Sequence, residues 1–211
     1  IDVGEGHANR YVAHSLPKCS LGNFVEGKIR SRMMDFMSKA DAEQFTVRVT
    51  SNLDTKFSVP DEVKRHFILP SRVDGSISAQ FPKIVPYTSK TMLLFQTIDG
   101  VDVCLFCMFV QEFDSLTHGK RVYIAYLDSA DHFRPRHVRT HCYQEMLISY
   151  LAYAKTKGFT HAHIWSCPPI RGNSFVFWCH PAQQRTPTKD MLIKWYHNII
   201  NRAIKLGIVE D

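Results

Sequence analysis

The chain has no run of about eighteen apolar residues, the length a membrane-crossing helix needs, so no transmembrane segment is expected. Its first residues, IDVGEGHANR, hold neither a methionine nor an apolar core; no signal peptide is visible, and a fragment of a longer chain is expected. G-x-S-x-G, P-loop and G-x-G-x-x-G patterns are all missing, which removes the usual sequence signs of α/β-hydrolase, nucleoside triphosphatase and dinucleotide-binding chemistry. Internal repeats, low-complexity tracts and a splitting linker are missing too, so one unit is expected. Cysteine is sparse. One C-x-x-C, Cys104 and Cys107, lies inside the apolar run VDVCLFCMFV. In a strand, residues three apart point to opposite faces, and no second C-x-x-C follows at zinc spacing. Six buried free thiols in a reducing, intracellular compartment are the expectation. Eleven histidines invite a metal reading, but His161 and His163 share a predicted strand with no carboxylate pair nearby, so no metal is expected.

What remains is an ordinary globular composition, 45% hydrophobic and 22% charged over 211 residues. The formal charge of +6 is a modest excess that suits an anionic ligand or nucleic-acid proximity without choosing between them. The organising stretch is RVYIAYLDSADHFRPRHVRTHCYQE, residues 121–145. Residues 121–127 read as a strand buried on both sides, with Val122, Ile124 and Tyr126 alternating against Tyr123, Ala125 and Leu127. A loop follows with Arg134, Arg136 and Arg139, then a helix from about Val138 to Lys157, stopped by Gly158. Arginines beside a helix start can hold a phosphate or pyrophosphate. A solvated basic loop is the plain alternative.

Elsewhere, residues 1–17 read as irregular, with 1–15 disordered and the domain over 16–211. A helix is predicted over 21–39 and a strand over 45–50, with Phe45, Val47 and Val49 on one face. Residues 51–88 read as irregular, with a short helix near 61–67. Residues 91–98, Asp99-Gly100 and 101–113 predict a β-hairpin. A strand over 161–167 should lie parallel beside 121–127. A long segment, 168–187, reads as functional. Thr186-Pro187 predicts the start of a last helix running to Leu206, with Leu192, Trp195, Tyr196, Ile199, Ile200, Ala203 and Ile204 on its apolar side. Trp195-Tyr196 reads either as core packing or as a phenol placed to donate a proton.

YLDS at 126–129, FRP at 133–135, RT at 139–140, HIWSCPP at 163–169, CHP at 179–181 and WY at 195–196 resemble, in order and spacing, the catalytic domain of the CREB-binding protein family of nuclear histone acetyltransferases. The similarity is dense from about 121 to 210 and thinner from about 16 to 112, where IDGVDVC and FVQEF carry it. The resemblance implies an α/β fold, a central mixed β-sheet flanked by helices like other acetyl-CoA-dependent acetyltransferases. It implies acetyl-CoA against Leu127, Asp128, Ser129, Thr186 and Trp195, with Arg139 and Thr140 at its phosphates. Tyr196 would be the general acid and Trp165 would share the catalytic site. Tyr126, Phe175 and Cys179 would line a lysine tunnel, with Ser89 near the substrate groove. Histone tails, other lysine-bearing nuclear proteins and transcription factors would be partners, in the nucleus, with no direct DNA or membrane binding. Departures include Ser89, Phe175, Thr186, Met191 in place of a cofactor-touching arginine, and Asp131 and His132 in the basic loop. The family domain continues beyond the position of Asp211, so a divergent, truncated member is expected, and a relative that binds acetyl-CoA or protein partners without transferring acetyl stays open as the alternative.

Overall fold

The structure, a computed structural model, describes residues 12–66, 82–114, 119–168, 176–177 and 180–210. Among the described residues, five strands form one mixed sheet in the order β1 (Phe45–Ser58), β2 (Ile84–Ile98), β3 (Val101–Phe113), β4 (Lys120–Ser129) and β5 (Phe159–Ile164). The first four pair antiparallel in sequence order, and β5 pairs parallel to β4, as a helical crossover demands. The β2–β3 turn is Asp99-Gly100, at φ 51° and 80°, the left-handed pair a two-residue hairpin turn requires. Among the described residues, five α-helices accompany the sheet: α1 (Ser20–Met33), α2 (Lys39–Ala42), α3 (Asp61–His66), α4 (Arg139–Thr156) and α5 (Lys189–Lys205). Among the described residues, no helix is long and apolar enough to cross a membrane.

The core lies between the sheet and α4, which is buried without a break from Cys142 to Leu151. The helix-period stripe named only part of that face, because α4 is covered by α1, by the sheet and by α5 together. Polar ties set its position. Tyr150 donates to Glu112 Oε1 on β3 at 3.1 Å, and Lys90 on β2 pairs with the same carboxylate. Buried Arg48 on β1 pairs with Glu26 on α1 at 2.7 Å, and that carboxylate also accepts the Val47 N–H at 2.9 Å. These are buried charges with partners, the condition under which burial is tolerated.

Several expectations are corrected. The predicted 21–39 helix ends at Met33, and a separate short helix capped by Ser38 follows. Residues 51–58 and 84–90, read as irregular, extend β1 and β2 by pairing with each other from Ser51↔Thr91 to Ser58↔Ile84. Cross-strand pairing overrides weak local propensity there. The last helix starts at Lys189, capped by Thr188 accepting from the Met191 N–H at 3.3 Å, not at Thr186-Pro187. β5 ends at Ile164 rather than 167.

Two bulges matter most. Leu94 faces Phe106 while Phe95 faces Cys104, so Leu105 is an extra residue in β3. Cys104 and Cys107 therefore share one face of the sheet, against the expectation from simple alternation. In β4, Val110 faces Ile124 while Phe109 faces Tyr126, so Ala125 is extra. Tyr126 is turned away from the core and is 57% exposed, where burial on both sides of the strand was expected. The five described cysteines are free, but Cys19 and Cys167 are exposed rather than buried.

Burial pushes the Cys104 thiol up to about 11 and Cys107 to about 12, from an ordinary 9.0, and the Tyr196 phenol from 10.0 to about 12. All three hold their protons in the folded chain at pH values where the unfolded chain has lost them. Their contribution is thus fully present below about pH 8 and is lost as pH rises through the folded values. The urea midpoint is expected to fall between about pH 9 and 12. A midpoint flat across that window contradicts the burial of these groups.

Candidate functional site

The site forms where β4 and β5 part. Their parallel ladder runs from Lys120↔Phe159 to Ile124↔Ile164 and stops there, one residue before the Ala125 bulge. From Tyr126 to Ser129, β4 stays paired to β3 but has no partner in β5. The far end of β4 is tied to β3: the Leu105 carbonyl accepts the Ala130 N–H at 3.0 Å and the Tyr143 hydroxyl at 3.1 Å.

After the bulge the side chains alternate anew. Leu127 faces Met108 and packs against the core. Trp195 packs against the same core, and Tyr196, 8% exposed, belongs to it. The two rings meet edge-on with centroids 5.1 Å apart. Tyr196 and its buried neighbours Ile199 and Ala203 are held over α4 by an ion pair between Arg202 and Glu145 at 2.6 Å. Among the described residues the Tyr196 hydroxyl has no hydrogen-bond partner, and burial alone raises its acidity constant. It is a phenol that keeps its proton and has no competing acceptor among the described residues.

Asp128 points to the other face, beside Cys107 and Tyr126. Its Oδ2 accepts the Val176 and Phe177 N–H groups, each at 3.0 Å, and its Oδ1 lies 2.7 Å from His180 Nε2. Asp128 thus ties residues 176, 177 and 180 to the end of β4. Gln184 adds a second tie, donating to the Ser129 carbonyl at 2.7 Å and accepting the Asp131 N–H at 2.9 Å. His180 was marked from sequence only as part of the CHP block, and Gln184 not at all; the loop-length signal marked their segment but not its contacts.

The arginine loop is present at the start of α4, which has no side-chain cap. Arg139 and Arg136 both pair with Asp131, and Thr140 is exposed in the first turn. Arg134 turns away to Asp99, 2.7 Å distant. Trp165 is 69% exposed just past β5. With Ile164, Cys167 and Lys189 it lines a cleft of about 460 Å³ that joins the end of β5 to the start of α5. Lys189 is a cation that sequence reading missed. Ser89 shares the Tyr126 face, two residues from Thr91, which pairs across β3 with Phe109 and so with Tyr126. Thr186 is exposed two residues before the α5 cap. Phe175 and Cys179 lie outside the described residues. His161 and His163 are exposed on β5, His163 within 3.1 Å of Arg121, and no group of three metal-ligating side chains occurs among the described residues.

A family model described as the histone acetyltransferase domain KAT3 matches residues 33–211. The chain is 39% identical over 221 residues to histone acetyltransferase HAC12 of Arabidopsis thaliana, covering 94% of this chain and 12% of that protein. It is 38% identical to the probable histone acetyltransferase HAC-like 2 of Oryza sativa subsp. japonica, covering 94% and 15%. Against protein cbp-1 of Caenorhabditis elegans the identity is 37% over 208 residues, covering 96% and 10%. The chain thus spans a small part of each of these relatives.

Asp128→Ala removes the acceptor for two backbone donors and the histidine partner at once. Amide hydrogen exchange at Val176 and Phe177 is expected to accelerate by roughly 10-fold or more, the loss of about 1.5–3 kcal/mol of charged hydrogen bonding, with exchange in α4 unchanged. Equal exchange in variant and parent would remove Asp128 as the anchor.

Proposed function

The chain belongs to the KAT3 histone acetyltransferase domain family, and on that premise we propose that it transfers acetyl from acetyl-CoA to lysine side chains of histones and other nuclear proteins. Nuclear residence and recruitment by transcription factors are part of the same proposal and rest on the family alone.

The observation that carries the reading is Tyr196. A buried, proton-retaining phenol without an acceptor among the described residues, next to Trp195 and on the core that also receives Leu127, suits general-acid work. The residues present also fit the cosubstrate. Past Ile124, β4 has no β5 partner and would lie along the bound molecule, and Arg139 with Thr140 stands at the uncapped α4 start, where phosphate would compete with Asp131 for the guanidinium. Leu127, Asp128 and Ser129 would line the bound molecule, with Thr186 and Trp195 from the last segment. Bound acetyl-CoA supplies an activated thioester.

The chain's own residues do the rest. Tyr196 holds the proton that a departing thiolate needs. Tyr126 and Trp165, aromatic and half-exposed or more, would cover the stem of the incoming lysine, and an apolar surround favours its neutral amine, the form that attacks. Phe175 and Cys179 would complete that lining, and Ser89 lies farther along the same face of the sheet as Tyr126. Asp128 holds Val176 and Phe177 at the end of β4, a placement that would help to exclude water from the bound thioester.

Tyr196→Phe is expected to lower kcat on a histone-tail peptide by roughly 10²–10⁴-fold, with KM for acetyl-CoA unchanged. Full activity in the variant removes Tyr196 from the role. A parent chain that binds CoA and acetylates nothing selects the non-catalytic relative instead.

A further inference from the structure

The turn between β4 and α4 carries an acid among its arginines. The Asp131 carboxylate is 5% exposed. Its Oδ2 accepts from Arg136 Nη2 at 2.7 Å, and its Oδ1 accepts from Arg139 Nη1. Two guanidiniums converging on one buried anion, at a helix start with no capping side chain, is how they would meet a phosphate oxygen. The backbone on either side is pinned: Gln184 takes the Asp131 N–H and the Ser129 carbonyl. A rotation of the Asp131 side chain alone would release both arginines while the covering segment stays in place.

We infer that Asp131 is an internal stand-in for phosphate, an anion that occupies Arg136 and Arg139 until a pyrophosphate-bearing ligand exchanges with it. The identity of that ligand as CoA rests on the function proposed above; the exchange itself does not. The consequence is a tax on affinity. A site competent in only a fraction of molecules binds more weakly by that fraction. Arg139 would then be a contact whose strength the chain sets by the ease of displacing its own carboxylate.

Calorimetric titration of the chain and of Asp131→Asn, with CoA and separately with inorganic pyrophosphate, tests this. The variant is expected to bind both about 10-fold more tightly, as when arginines occupied in about nine molecules of ten are freed. Equal or weaker binding by Asp131→Asn overturns the inference, since Asp131 then merely orients the arginines for the ligand. A gain for pyrophosphate with no CoA binding to either protein upholds the exchange and sinks the acetyl-CoA reading. CoA binding of equal strength in both leaves that reading standing and removes the exchange. No binding of either ligand by either protein ends both. Should the variant's melting show that it does not fold, the parent decides: the Asp131 carboxyl ¹³C resonance is expected to move as pyrophosphate saturates the chain, and a stationary resonance at saturation overturns the inference.

Discussion

One extra residue in β4 sets the rest. Up to Ile124 the strand is paired on both sides, and its alternation places Val122 and Ile124 in the core. Simple continuation would send Tyr126 inward and Leu127 outward, because a strand's side chains repeat every two residues. The Ala125 bulge reverses both: Leu127 packs inward and Tyr126 outward. It also bends β4 away from β5, so the ladder ends at Ile164. At the end of β4 the Leu105 bulge of β3 supplies a carbonyl that takes both the Ala130 N–H and the buried Tyr143 hydroxyl. Burial beside Cys142 raises the Tyr143 phenol well above the usual tyrosine range, so that donor stays a donor.

Carboxylates, more than arginines, organise what lies at the end of β4. Asp128 gathers three donors from the 176–180 segment, and Asp131 gathers two guanidiniums. Both acids are nearly buried, and both are multiply bonded, which is the condition for keeping charge in a low-dielectric place. A basic loop that looked from composition like an open anion site is, in the folded chain, already compensated.

The elements dictated by local chemistry were legible in the sequence. Asp99-Gly100 fixed its hairpin, Gly158 ended α4 at φ 81°, and the crossover length required β5 to run parallel to β4. The mixed sheet flanked by helices and the KAT3 membership followed from motifs in register. What was not legible depended on pairing partners. The far halves of β1 and β2 are strands because they face each other, since their polar, proline-bearing sequence does not ask for it. The bulges at Leu105 and Ala125 leave no mark in VDVCLFC or VYIAYLD, and so the faces of Cys104, Cys107 and Tyr126 were misread. In the site, the aromatic pair on α5 was visible from spacing, but the anchoring role of Asp128 needed the return of a segment about fifty residues later.

The balance of charge around the proposed cosubstrate site follows from these placements. Met191 is 63% exposed on the first turn of α5 and offers no positive charge. Arg136 and Arg139 share one acid. Lys189, one turn-start away from Met191 and facing the cleft with Trp165 and Cys167, is a cation among the described lining residues of that cleft with no ion pair assigned to it. A lysine is a point charge on a flexible stem, without the planar fork that grips a phosphate in two places. In the proposed function, then, long-range attraction for an anionic ligand survives while bidentate grip is withheld until Asp131 moves. Such a site gains little from additional surface cations, because the step that limits its hold lies in the exchange of one buried carboxylate.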